Sequence, residues 1–260
     1  MTTMYHSIIS SSKAPARRKS VEENFAALGL QPNFFEAIMG DELSQQELNT
    51  VSQADGLLTL GEIGCALSHL EIYKQLLRSS EPYIFIFEDD ARLTREFVRA
   101  IPAIQRFMAG QDKPTVLSLH RIRGHVHPVF RLDSEKRILH ALAGSTGHGY
   151  VINRQAAANI LKAQTPLRFE IDAWAIYQKL CYITFYTTDF DFIQVDKALA
   201  ARSLIDEIFP KRHKLDSKIV KRLKDRQIRE LYGQKSLQEK LLCQLFRLGR
   251  HIQALYYQEI

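Results

Sequence analysis

Two rhythms of apolar and polar positions run along the chain. Short β-branched and aromatic runs predict strands at residues 5–9, 34–38, 83–87, 116–119 and 192–196. The strongest is YIFIF, Tyr83 to Phe87, where no polar residue interrupts the run. Between them lie segments with helical spacing. Residues 18–29 place Val21, Phe25 and Leu28 on one face, with Gly29 as the stop. Residues 61–78 put Ile63, Leu67, Leu70 and Leu77 near one stripe, and residues 95–108 read as a helix that Pro102 breaks or kinks. SSSKAPARR, residues 10–18, reads as a loop rich in turn formers, and residues 120–140 as a hairpin or irregular insert. GSTGHGYVINRQAAANILKA predicts a glycine-rich turn, a strand and a helix over about 154–163, and IDAWAIYQKL a further helix. Strands alternating with helices imply an α/β fold, a mostly parallel sheet flanked by helices. Near the end, Ser236 and Glu239 have capping-box spacing and open a helix carrying Leu237, Leu241, Leu245, Leu248, Ile252 and Leu255.

Composition narrows this picture. With 260 residues, 45% of them hydrophobic, the chain can bury a substantial core as one large or two small domains. No run reaches the ~18 apolar residues of a membrane-crossing helix. The opening MTTMYHSIISSSKAPARRKS lacks an apolar signal-peptide core, and Cys65, Cys181 and Cys243 are odd in number and widely spaced. These features predict a cytoplasmic protein in a reducing compartment.

Charge divides the chain. Residues 211–260 hold 13 Lys+Arg against 5 Asp+Glu, a net of +8, while the first 210 hold 22 against 24, a net of −2. A boundary near 205–211 follows, giving a body over 1–208 and a basic helical segment over 209–260. That segment is suited to anionic lipid headgroups, phosphorylated glycans or nucleic acid, or it is a solvated helical face.

The strongest strand ends in three consecutive carboxylates, Glu88, Asp89 and Asp90. Ligands of open α/β sheets sit beyond the carboxyl ends of strands. Converging carboxylates call for a cation, and a hard divalent ion with oxygen ligands, Mg²⁺ or Mn²⁺, would serve. In extended chain Glu88 and Asp90 share a side and Asp89 takes the other. The plainer alternative is a strand-ending polar cluster in which Asp90 caps a following helix. TDFDF, residues 188–192, repeats the Asp-x-Asp spacing without a strong strand before it.

Four segments in order, GEIGCALSHLEIYKQLL, EPYIFIFEDDARL, GSTGHGYVINRQAAANIL and IDAW, with the opening SIISSSKAPARRKSVEENFAALGLQPNFFEAIMG, resemble glycosyltransferase family 25, the lipooligosaccharide galactosyltransferase-like enzymes. The resemblance covers roughly residues 5–205 and leaves the basic tail uninterpreted. It implies a GT-A-like, Rossmann-like fold. It also implies an inverting transferase that moves a hexose, galactose or glucose, from a UDP-sugar to a lipooligosaccharide or other glycan acceptor with Mn²⁺ or Mg²⁺. A lipid-linked acceptor would bring the enzyme to the inner face of the inner membrane, with the tail on its anionic surface.

By the same resemblance Asp90 touches the metal on the donor diphosphate, and Glu88 sits near the metal or ribose. Asp89, Ser10, Ser68, His69, Gly147, His148 and Tyr150 fall in the donor or substrate site. His148 stands where the family commonly has a small residue, Lys197 where it tends to have Pro, and Arg202 near where it has Gln. Arg17 and Arg18 suit a phosphate or ribose clamp or merely begin a helix. Asp172 is the candidate general base on the acceptor hydroxyl, its pKa tuned by Phe169, Ile171 and Trp174, with Glu170 next in line; alternatively Asp172 caps the helix after it. Trp174 can stack on a sugar or fill the core, and His69 can bind substrate or be a satisfied core histidine. Two readings of other classes compete. One is a nucleic-acid binder using the tail, disfavoured because its basic residues lack interleaved aromatics. The other is a phosphohydrolase or nuclease using the same metal to activate water.

Overall fold

A computed structural model describes residues 4–53, 57–122, 125–196, 217–256 and 258–259. The predicted boundary near 205–211, with Lys197 and Arg202, lies outside the described residues. In chain order the elements are β1 (His6–Ser10), α1 (Pro15–Ala27), β2 (Phe34–Glu36), a 3₁₀ turn (Gly40–Glu42), α2 (Gln45–Val51), α3 (Leu60–Arg78), β3 (Tyr83–Glu88) and β4 (Ala91–Leu93). Next come α4 (Arg95–Ala109), β5 (Thr115–Ser118), β6 (His125–Arg131), β7 (Arg137–Ala141), β8 (Gly149–Asn153), α5 (Arg154–Ala163), α6 (Trp174–Lys179), β9 (Thr184–Thr188) and β10 (Ile193–Val195). The basic segment contributes α7 (Ser217–Gly233), α8 (Leu237–Tyr256) and β11 (Gln258–Glu259).

Nine strands form one sheet in the order β11-β6-β7-β9-β5-β8-β3-β1-β2. The sheet expected to be mostly parallel is mixed. β1 pairs in parallel with β2 and β3, and β5 with β9. β8 inserts antiparallel between β3 and β5, and β7, β6 and β11 extend the far side antiparallel. The physical reason lies in the β6–β7 hairpin, which turns the chain against β5 and β9; β8 keeps the direction of β7 and so enters antiparallel to β3 and β5. β10 does not join this sheet; it pairs with β4 beside the acidic loop.

β3 runs between two packed layers, which accounts for its uninterrupted apolar run. Ile84 and Ile86 pack with Leu70, Tyr73 and Trp174 on the α3–α5–α6 side. Phe85 and Phe87 pack with Phe25, Phe97 and Ile101 on the α1–α4 side. The period of two therefore splits one strand between two cores.

Several boundaries moved for local reasons. α1 begins at Pro15, inside the predicted loop, because proline's fixed φ and missing N–H suit a first helical position. Arg17 and Arg18 are thus first-turn helix residues. α4 runs unbroken through Pro102. α3 starts at a capping box of Thr59 and Glu62, and α2, absent from the pattern reading, at one of Ser44 and Glu47. β9 was also missed, although TFYTT is rich in β-formers. Residues 120–140 do form a hairpin, β6–β7, and Ser236 and Glu239 bond reciprocally ahead of α8. Among the described residues no helix is long and apolar enough to cross a membrane.

Candidate active site

β3 delivers the acidic triplet at its carboxyl end, and the chain turns there into β4 rather than a helix. The helix-cap alternative for Asp90 therefore falls; Thr94 caps α4. Glu88 and Asp90 share a side, as extended backbone requires, and meet His148 Nδ1 at 3.4 and 3.2 Å. Asp89 takes the other side. It accepts 2.8 and 2.7 Å hydrogen bonds from Ser10 Oγ and Arg17 Nε, and Arg17 Nη2 lies 3.9 Å from Asp90.

This arrangement answers the electrostatic problem of three adjacent carboxylates. Three cationic or protonatable groups, Arg17, His148 and His69, face them. Hydrogen bonds to the carboxylates of Asp90 and Glu88, opposed by burial, push the His148 pKa up to about 10. Burial alone would raise the Glu88 carboxyl; the close imidazoles of His148 and His69 outweigh it and hold Glu88 well below the ordinary carboxylate range.

β8 and the turn before it bring the second half of the site. A Cβ on Gly147 would lie 2.8 Å from Glu88 Oε1 and 3.7 Å from Asp172 Cβ, so a side chain at this position would crowd both residues. Thr146 has a φ of 100°, a conformation costly for a β-branched residue. Two bonds hold it there: its N–H donates to Asp172 Oδ2 at 2.9 Å, and its carbonyl accepts from Trp174 Nε1 at 3.0 Å. Asp172 is therefore no helix cap; Ala173 holds that position without a side-chain bond. Trp174 is buried against Tyr150 and Phe185, so the sugar-stacking alternative gives way to a core role.

Glu88, Gly147, His148, Glu170 and Asp172 line one cleft of about 200 Å³ together with Glu62, Cys65 and Ile171. The sequence reading missed Glu62 and Cys65, whose signal was their one-turn spacing ahead of His69 on α3. Other predicted residues serve the site from behind. His69 is fully buried; its Nδ1 pairs with Tyr150 OH at 2.7 Å, Tyr73 OH lies 2.6 Å from Tyr150 OH, and His69 Nε2 stands 3.6 Å from Glu88. Ser68 is spent within the fold, donating to the Gly64 carbonyl and accepting from the Ile38 N–H. Arg18 donates to the Ser10 carbonyl, pairs with Glu36 and lies over the Phe34 ring. Arg17, Arg18, Ser68 and Tyr150 are thus engaged with protein groups. In TDFDF, Asp189 bonds Arg137 and Asp191 bonds the Arg121 N–H, away from the triplet.

The donor set tests whether a divalent cation fits. One ligand atom each from Glu88, Asp90 and His148 lies within 4.8 Å of the others. Two carboxylate oxygens and one imidazole nitrogen, the last once the cation displaces the proton that the carboxylates hold on His148, suit Mn²⁺, and with weaker preference Mg²⁺. Cys65, His69 and Glu88 form a second such group. Burial, with Glu88 and Asp172 nearby, pushes the Cys65 thiol well up, which opposes the thiolate a metal needs.

Comparison with known proteins places this geometry. The family model described as "Glycosyltransferase family 25 (LPS biosynthesis protein)" matches residues 4–175. A glycosyltransferase 25 family member from Drosophila melanogaster is 28% identical over 169 residues, 60% of this chain and 27% of that protein. The lacto-N-neotetraose biosynthesis glycosyltransferase LgtB of Neisseria meningitidis serogroup A is 36% identical over 93 residues, 35% of this chain and 33% of that one. The matched regions thus span about a third or less of these relatives. A solved structure titled a putative glucose-1-phosphate thymidylyltransferase from Bacillus anthracis aligns with a TM-score of 0.33 and 11% identity over 71% of this chain and 87% of that one, too slight a likeness to bear on function. The family model covers the triplet, the Gly147 turn and Asp172 together, and this chain belongs to glycosyltransferase family 25.

Proposed function

We propose that the chain is an inverting, divalent-metal-dependent hexosyltransferase of GT-A type. It takes galactose, or glucose in its place, from a UDP-sugar and passes it to a lipooligosaccharide or lipopolysaccharide acceptor at the inner membrane's cytoplasmic face. The observation that carries this reading is a set of groups suited to a cation, Glu88, Asp90 and His148, of which Glu88 and His148 line the same cleft as a separate carboxylate, Asp172. The name of the LgtB relative, a lacto-N-neotetraose biosynthesis glycosyltransferase, supports the choice of acceptor class.

Glu88, Asp90 and His148 would hold the cation, which supplies Lewis-acid neutralisation of charge on the departing diphosphate. The remaining work belongs to the chain. Arg17 and Ser10 fix Asp89, and with it the bend of the acidic loop. The missing side chain at Gly147 keeps the space beside Glu88 open to the cleft, since even a Cβ there would stand 2.8 Å from Glu88 Oε1. The Thr146 N–H engages Asp172 Oδ2 and leaves the carboxylate its other oxygen to accept the acceptor hydroxyl's proton. A base separate from the leaving-group side is what inversion requires. Glu170 lines the same cleft, but Lys224 donates to both of its oxygens at 2.9 and 2.8 Å, so Asp172 is the better base.

Calorimetric titration of UDP with and without Mn²⁺, on wild type and Asp90→Asn, tests the reading. Metal-dependent binding lost in the variant is expected. UDP binding indifferent to both Mn²⁺ and Asp90 would overturn the metal assignment. Phosphoester turnover without a sugar acceptor would favour a hydrolase instead.

A further inference from the structure

α8 is amphipathic in the wrong direction for a helix held only by its own protein. Leu237, Leu241, Leu242, Leu245 and Leu248 are between 55% and 85% exposed. At 3.6 residues per turn, Leu237, Leu241, Leu245 and Leu248 fall within a sector of about 80°, with Leu242 about 60° beyond it. Cys243, on the opposite face, is completely buried against the body. Lys240 donates to the Gly233 carbonyl and Arg247 lies over the Tyr232 ring, so the inward face carries the anchoring contacts. The helix has a docked side, and its leucine side is left outward.

Charge decides between the possible occupants. The segment 211–260 has a net charge of +8. The preceding helix, α7, buries Gln227 and Leu231 and exposes Lys218, Lys221, Arg222, Arg226 and Arg229 on its other side. Two such segments brought together would repel, and the leucine stripe lacks flanking charges of opposite sign to offset this. An anionic lipid surface supplies both missing complements, hydrocarbon for leucines and negative headgroups for Lys and Arg.

We infer that α8 lies in the interface of an anionic bilayer, its Leu237–Leu248 stripe inserted among the acyl chains and the basic face of α7 engaging headgroups. This deepens the proposed function, since it rests on a lipid-linked acceptor and names the element that brings the cleft to it. It also assigns the hydrophobic part of binding to leucines rather than to charge alone.

The test uses the full chain and vesicles of phosphatidylcholine alone or with phosphatidylglycerol at about 30%, a strongly anionic surface. The comparison is wild type against Leu241→Gln/Leu245→Gln/Leu248→Gln, which alters only exposed positions. Wild type should float with the anionic vesicles, and the triple variant should bind about tenfold more weakly or less, as expected when apolar insertion supplements electrostatics. Equal binding by the variant, or none by wild type, overturns the inference. So does light scattering that shows a dimer dissolved by the same substitutions, which would make a second copy the occupant. UDP and Mn²⁺ titration of the triple variant keeps the two ideas apart. Normal donor binding with lost vesicle binding in the variant speaks for the stripe alone; a wild type that binds vesicles but neither UDP nor Mn²⁺ would sink the transferase and leave the stripe standing.

Discussion

The contacts of single residues set what each substitution should do. Asp89 and Arg17 are nearly buried, at 9% and 14% side-chain exposure, and face each other at 2.6 Å. Removing one partner of such a pair leaves an uncompensated charge, which costs about 3–5 kcal/mol. Arg17→Met should therefore destabilise strongly, and Arg17→Met with Asp89→Asn should recover part of the loss in urea denaturation. His148 supplies a pH signature. Its folded pKa is about 10 against an ordinary 6.5, so the folded protein keeps a proton that the unfolded chain releases as pH rises. Its contribution is whole below about pH 6.5 and is lost as pH climbs through about 10. Glu88 works the other way: its contribution stands above its ordinary 4.5 and fades as pH falls toward its depressed folded value. Between pH 6.5 and 10 the metal-free melting temperature should fall more steeply for wild type than for His148→Gln. Parallel pH profiles would show that His148 is not held protonated by the triplet. The sequence made this cluster half visible. Alternation along β3 was enough to separate Glu88 and Asp90 from Asp89. The resemblance put His148 in the same site, but no local pattern could show that it folds back over the carboxylates, because that contact spans 58 residues.

At the scale of elements, close backbone crossings mark what patterning cannot see. Gly64 on α3 faces the turn before α2: a Cβ there would stand 2.5 Å from the Ile38 carbonyl oxygen and 2.6 Å from the Gly40 N–H. Helix propensity favours alanine over glycine by about 1 kcal/mol. Overpacking against backbone costs about 1–3 kcal/mol or more, and neither backbone can yield cheaply here. Gly64→Ala should thus lower stability despite its better propensity; a raised denaturation midpoint would show that the crossing has slack. The same crossing explains Ser68, whose hydroxyl ties α3 to Ile38 and so reads in sequence like a site residue while serving the packing. The Ser236–Glu239 capping box, the α3 stripe, the α5 helix and the β3 run were legible because their causes are local, whereas the boxes that open α2 and α3 were passed over. The antiparallel insertion of β8 and the separate pairing of β10 with β4 were not, since strand partners are chosen by the whole sheet.

For the whole molecule, the basic segment is more than a charged appendage. Leu231 belongs to the same buried cluster as Leu167, Trp174 and Tyr182. Arg168, on the segment leading to Asp172, donates to Gln227 at 2.7 Å and Glu230 at 3.0 Å, and Lys224 pairs with Glu170 at the cleft. Composition alone divides the chain near residue 208, since charge changes sign of excess there while core contacts leave no compositional mark. These contacts predict that a protein lacking residues 217–260 melts below the full chain and has a looser cleft, because Arg168 and Glu170 both lose their partners. Leu231→Ala isolates the packing part and should cost about 2–5 kcal/mol, the range for truncating a buried leucine. An unchanged melting temperature in the shortened protein would make 209–260 a separable domain, as charge alone suggests. A loss in both proteins, with UDP affinity falling only in the shortened one, would place the tail's contribution to the site in Lys224 and its neighbours rather than in general stability.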